Sequence, residues 1–253
     1  MNAGRTTFRH YLAGVRFYIA IAIFLLTFEV WWWADTSFAG SSLLTIRLEE
    51  VYAWLSVGFL SSALLIGPAC KVFKRLPGKA ILFDARRLMG IGAAWFATLH
   101  ISIAYLTLFK LANPFNVPGT YRTSFFVGGL AWLVLLAMAF TSFDAAFHRL
   151  GKWWFRIHRF VYAAAVLAML HAFIIGAHST RPSGLIALTG ISVALVSLHA
   201  WSVAKQSKPA SNWQLGSVAA MVAVLVVILS FGYNQRNQYR SAASQGVSNV
   251  QKY

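Results

Sequence analysis

The chain has 253 residues, 58% of them hydrophobic and 11% charged, with a mean hydropathy of +0.62. That balance excludes a water-soluble domain of ordinary composition. Lys and Arg number 22 against six Asp and Glu, a net charge of +16 that in a soluble protein would direct attention to nucleic acid. Here the basic residues gather in particular loops, so the excess reads as membrane topology, and no nucleic-acid partner is expected.

Residues 1–13 read as a cytoplasmic N-terminus. The first apolar run, 14–33, ends in Trp31, Trp32 and Trp33, an interfacial belt rather than a cleavage site, so it reads as a retained helix. Further runs follow near 51–70, 88–109, 124–143, 155–177, 184–204 and 213–233, each close to the ~20 residues that a bilayer core requires. The expected fold is all-α: a polytopic membrane bundle with a six-helix core over 14–204, an extra helix within 205–233, and a polar tail at 234–253. The segments Lys71–Arg87 and Asp144–Arg156 are dense in positive charge, whereas Asp35–Glu50 and Leu111–Arg122 are poor in it. With the basic pair facing the cytoplasm, 15 of the 22 Lys and Arg fall inside and seven outside, three of those seven in the tail. With seven spans the Ser-, Gln- and Asn-rich tail lies outside, an even helix count being the alternative, and it reads as disordered on its own, either a simple terminus or a partner-docking segment.

The single Cys70 excludes an internal disulfide, and no Cys-x-x-Cys-His attachment signal occurs, so any haem would be held without a covalent link. No P-loop and no Gly-x-Gly-x-x-Gly fingerprint occurs, which assigns any nicotinamide or flavin domain to another chain.

Histidine is costly inside a bilayer unless it has a partner or a ligand, which directs attention to His100, His158 and His171. His100 falls in the third run and His171 in the fifth, both running outward from the cytoplasm. At 1.5 Å per residue their imidazoles lie about 18 Å and 24 Å deep, close enough to face one another. Paired neutral imidazoles are what a six-coordinate b-type haem needs. The competing reading is that each ring hydrogen-bonds a neighbouring helix. His199, near the cytoplasmic end of the sixth run, matches His158 in depth to within about a turn and is a candidate partner for it in a second site. His10, His148 and His178 read as loop or interfacial residues without a ligand role.

The string Arg86-Arg87-Leu88-Met89-Gly90 leading to Leu99-His100, then Trp154-Phe155-Arg156-Ile157-His158-Arg159 and Leu170-His171, resembles the ferric-reductase-like transmembrane domain over about residues 50–204. The likeness is nearest to its small bacterial branch, which includes the haem b membrane subunit of the methionine sulfoxide reductase system. The resemblance implies haem b, one or two per chain, with iron ligands among His100, His158 and His171. It also implies a multi-pass protein of the bacterial inner (plasma) membrane. Arg86 stands where larger relatives place a further histidine. Fourteen residues at about 100° each bring it within about 40° of the His100 face, so Arg86 is a candidate partner for a haem propionate or a phosphate. On a straight helix His158 and His171 would lie about 140° apart.

The expected function is a transmembrane electron conduit, the haem-binding subunit of an oxidoreductase. A cytoplasmic flavin or quinol donor would feed it, with FMN or quinone as further cofactor candidates, and a periplasmic acceptor or partner protein would drain it. No catalytic residue is assigned. Asp35, Glu49 and Glu50, with Glu29 just inside, could attract a cation but lack chelating spacing. The alternative is a haem-free transporter or assembly subunit. The lack of Asp or Glu in the middle of the second to seventh runs argues against a transporter.

Overall fold

The computed structural model describes residues 3–108, 119–175 and 182–205, with parts of 212–234. In chain order the helices are α1 (Ala3–Phe38), α2 (Leu43–Val72), α3 (Lys79–Ile103), α4 (Gly119–Phe140), α5 (Asp144–Leu150), α6 (Lys152–Ile157), α7 (Val161–Ile175) and α8 (Pro182–Ala204). A π-helical turn, Ala104–Leu108, prolongs α3, and a 3₁₀ turn, His158–Phe160, joins α6 to α7. Among the described residues there is no strand, and six helices are long and apolar enough to cross a membrane. In a solvent without hydrogen-bonding partners, a helix satisfies its backbone internally, which is why these apolar stretches adopt no other form.

The expected all-α bundle is present, but several boundaries differ. The second helix starts at Leu43 rather than near 51, so the anticipated outer loop Asp35–Glu50 shrinks to a short turn between α1 and α2. Arg47 pairs with Glu50 at 2.7 Å one turn along the helix, and this neutralisation lets charged residues occupy the start of a long apolar helix. α3 starts at Lys79 rather than near 88, and the basic segment 144–156 is folded into α5 and α6. Gly151, at φ +50°, occupies the left-handed turn between those two short helices. Gln214–Val227 forms an apolar helix shorter than the six spans, within the expected seventh run 213–233. The tail beyond residue 234 and His178 lie outside the described residues, as does the side chain of His10.

The chain divides into two compact units, Met1–Val117 with Gly129–Ala165, and Pro118–Gly128 with Val166–Tyr253. In the first, α1, α2 and α3 pack on one another. Phe96 on α3 is fully buried, its ring centroid 6.0 Å from that of Tyr52 and 5.3 Å from that of Phe59, both on α2. Ile23, Val30, Ala34 and Leu48 complete this cluster. Hydrogen bonds reinforce it: the Tyr52 hydroxyl donates to the Thr27 carbonyl at 3.0 Å, and Ser56 Oγ donates to the Ala93 carbonyl at 2.9 Å. Phe96→Ala removes a ring that nothing else can replace. In lipid the lost transfer term is small, because lipid is as apolar as the core, but the cavity and the lost contacts remain. The expected cost is about 2–3 kcal/mol, below the 3–5 typical of water-soluble cores, read as the shift in unfolding of the detergent-solubilised protein.

An ionic cluster ties α1, α3 and α5 together in the same unit. Arg16 Nε donates to both Asp84 oxygens at 2.9 and 2.8 Å, and its Nη2 donates to Oδ1 at 2.5 Å. Arg16 Nη1 also reaches Asp144 at 3.3 Å, and Arg87 donates to the other Asp144 oxygen. The Arg87 hydrogen bond, with the charges of Arg87 and Arg16, holds the Asp144 carboxyl below its ordinary value despite some desolvation. A carboxyl depressed by folding stabilises the fold above its unfolded pKa of about 3.9 and loses that contribution as pH falls through the folded value. Asp144→Asn is therefore expected to lower the melting temperature slightly at neutral pH, with the difference shrinking as acidification protonates the folded carboxyl. Melting curves of both proteins over that range test it.

Candidate functional site

His100 and His158 belong to the first unit, His171 and His199 to the second. Near the end of α3, His100 Nδ1 lies 3.2 Å from the backbone carbonyl of Glu49 and 3.3 Å from its carboxylate Oε1, across on α2. The backbone carbonyl can only accept, so Nδ1 carries the proton and donates to it. In the neutral ring the lone pair is then on Nε2, the atom through which a histidine so anchored would ligate a metal.

In the second unit the same tautomer arises by a different route. His171 Nδ1 donates to the Ser124 carbonyl on α4 at 2.8 Å, with Ser124 Oγ 3.0 Å away. That hydroxyl donates in turn to the His171 carbonyl at 3.4 Å. Ser124 is fully buried, so this pair of contacts is shielded from competing donors. The close approach depends on Gly128, one turn along α4. A Cβ at this position would lie 2.5 Å from His171 Nδ1 and 2.6 Å from Cε1. The groove that receives the imidazole exists because residue 128 has no side chain.

His158 opens the 3₁₀ turn between α6 and α7, so the straight-helix phase expected between it and His171 does not apply. Its ring stacks on Trp154 at 3.7 Å with an interplanar angle of 22°. Nδ1 donates to the Trp154 carbonyl at 3.0 Å, and Nε2 faces Ser142 Oγ at 3.3 Å. Trp154 is itself fixed, its indole N–H donating to the Thr141 carbonyl at 2.8 Å while Arg87 lies 5.9 Å from its ring centroid. Arg86 is turned toward α2, where Nε donates to the Ala63 carbonyl at 2.9 Å and Nη1 lies 3.6 Å from where a Gly67 Cβ would be. His199, half-buried on α8, accepts through its backbone carbonyl from Ser202 Oγ at 2.7 Å.

Glu50 pairs with Arg47 and Glu49 with His100, and the described residues contain no group of three metal-ligating side chains. Sequence reasoning named the histidines but not Glu49, Ser124 or Gly128 as their anchors. Gly128-Gly129 in an otherwise bulky apolar run was the available signal, since small residues in membrane helices mark close approach.

Each of these imidazoles, taken within its own unit, is of a kind that fits haem iron: Nδ1 is held by a carbonyl oxygen, and the His171 ring lies in a groove that a methyl group would fill.

Six spans and an all-helical architecture define a multi-pass membrane protein. Over residues 52–169 the chain matches the family described as Ferric reductase like transmembrane component, and is similar there to a class of transmembrane electron-transfer domain. The matched stretch contains His100 and His158 and ends at Met169, short of His171 and of the 50–204 expected from the sequence. No solved structure matches the chain.

Proposed function

We propose that the chain is a transmembrane b-type cytochrome that passes electrons from a cytoplasmic flavin or quinol donor to a periplasmic acceptor. The observation that carries this reading is the common state of His100 and His171: each donates its Nδ1–H to a carbonyl of another helix, which leaves Nε2 as the lone-pair nitrogen. Haem b, when bound, supplies a one-electron iron couple. The protein's part is to hold the two imidazoles in one tautomer and one orientation, which limits rearrangement as the charge at the site changes. The similarity over residues 52–169 supports electron transfer rather than transport as the purpose of the bundle.

A bilayer core is about 30 Å thick, so one station in the outer half leaves a long gap to the cytoplasm. His158, with His199 or Arg86, is the proposed inner station, holding a second haem or bordering FMN or quinone. By its likeness to the haem b membrane subunit of the bacterial methionine sulfoxide reductase system, the acceptor is a periplasmic partner protein and the location a bacterial inner membrane.

A reduced-minus-oxidised spectrum of the protein purified from a haem-replete host tests the proposal. A sharp b-type α band is expected, and its absence favours a haem-free transporter or assembly subunit. Pyridine haemochrome stoichiometry then counts the stations: about two per chain supports a haem at His158, and about one assigns that residue another role.

A further inference from the structure

The segment that opens the fifth span has two different faces. α6 and the 3₁₀ turn after it form the start of the apolar stretch Lys152–Ile174. At about 100° per residue, Lys152, Arg156 and Arg159 fall within about 60° of one another, with Trp153 on one flank and Phe155 on the other, and all five residues are exposed. Arg156 lies 4.6 Å from the Trp153 ring centroid, so cation and aromatic already form one surface. Trp154 and His158 take the opposite face, where they stack at 3.7 Å and are tied to Thr141 and Ser142. The one carboxylate in residues 144–160, Asp144, is engaged by Arg16 and Arg87.

We infer that this exposed face binds the headgroup of an anionic phospholipid, a role independent of the haem reading. Topology alone asks only for cations in the loop beyond a span. Here three cations continue along the helix over about 10 Å of its axis, whereas the headgroup zone on one side of a bilayer is about 5–8 Å deep. The innermost, Arg159, therefore reaches the acyl boundary, where a cation is costly unless an anion accompanies it. A phospholipid carries its phosphate to that depth. The planar fork of arginine matches phosphate oxygens in pairs, and Trp and Phe rings settle at headgroup level beside the first acyl carbons. Charge complementarity then selects an anionic headgroup over a zwitterionic one, whose own ammonium the stripe repels.

Native mass spectrometry of the detergent-solubilised full chain, titrated with phosphatidylglycerol or with phosphatidylcholine, tests the inference. The wild type is expected to bind phosphatidylglycerol more tightly, by a margin that narrows as salt is raised. Arg156→Gln is expected to weaken that binding about fivefold, and the combined Lys152→Gln, Arg156→Gln and Arg159→Gln variant on the order of a hundredfold, with phosphatidylcholine little changed. Arg156→Lys keeps the charge and should fall between the wild type and Arg156→Gln. Removing charge elsewhere, by Lys74→Gln with Arg75→Gln in the exposed turn between α2 and α3, should leave the preference intact. Excess inorganic phosphate should not displace the lipid. Equal affinity of the wild type for the two lipids overturns the inference, and so does an unchanged preference in Arg156→Gln, a single exposed change that the fold tolerates. An equal loss in the Lys74 and Arg75 variant would reduce the effect to the general attraction of a positive surface, and displacement by inorganic phosphate would make this a soluble-anion site; either result overturns it too.

Discussion

With either His100 or His171 replaced by alanine, the purified protein is expected to lose most of its reduced-minus-oxidised α band. No cysteine attachment signal is present, so a haem in this chain is retained by iron–imidazole bonds and by packing alone. His100 and His171 are the residues that would hold the iron, and without either one the chain would lose one of its two proposed donors. Each variant should therefore be affected almost as strongly as the pair, the pattern of groups that act as a unit rather than additively. His148→Ala supplies the control, since that residue is exposed on α5 and edge-on to Phe147 at 5.5 Å, and its loss should leave the band unchanged. His158→Ala separates the stations: a band reduced by about half supports an inner haem. If both His100→Ala and His171→Ala retain the full band, the ligand assignment fails, whatever becomes of the fold.

The membrane-spanning character of six helices was legible because apolar length is a property of composition, and lipid allows no alternative backbone solution. Their boundaries were less legible, for a reason visible at particular residues. Arg47, Glu49 and Glu50 read as a loop because each charge taken alone is unfavourable in a helix near lipid. Folded, Arg47 is paired with Glu50, and Glu49 lies against the His100 imidazole. The same holds for Asp84, which Arg16 reaches from α1 across 68 positions of sequence, and for Arg87, whose partner Asp144 lies on α5. Periodicity over a single run has no access to pairings of that separation. The 3₁₀ turn at His158–Phe160 carries no Pro or Gly to announce it, so an unbroken helix from 155 to 177 was the reading that local pattern favoured. At the candidate site, the histidines were conspicuous because a polar ring in lipid demands an explanation. Their anchors were not, because a serine, a glycine and a loop-like glutamate are individually unremarkable.

Gly128 offers the sharpest test of the second-unit geometry, because its neighbour is a built-in control. Gly128→Val is expected to expel the His171 ring from its groove and abolish the α band. Even the first added carbon would lie 2.5 Å from Nδ1, 2.6 Å from Cε1 and 3.0 Å from Cγ, far inside contact distance for a whole ring face. The ring has little scope to yield in place, because Nδ1 is held at 2.8 Å by the carbonyl of a fully buried Ser124. It must rotate away and forfeit that bond, at about 0.5–1.5 kcal/mol, while the helices absorb the extra bulk at about 1–3 kcal/mol. A total of roughly 1.5–4.5 kcal/mol is expected, with the smaller Gly128→Ala following in the same direction. At Gly129 an added Cβ meets nothing within 4 Å among the described residues, so Gly129→Ala should keep the band. It should also match or slightly exceed wild-type stability, since alanine is favoured over glycine inside a helix by up to about 1 kcal/mol. Two adjacent glycines with opposite outcomes would place the imidazole against α4 independently of any spectrum assigned to iron. Equal tolerance at both positions would mean that His171 does not occupy this groove, and the argument that fixes its tautomer would lose its basis.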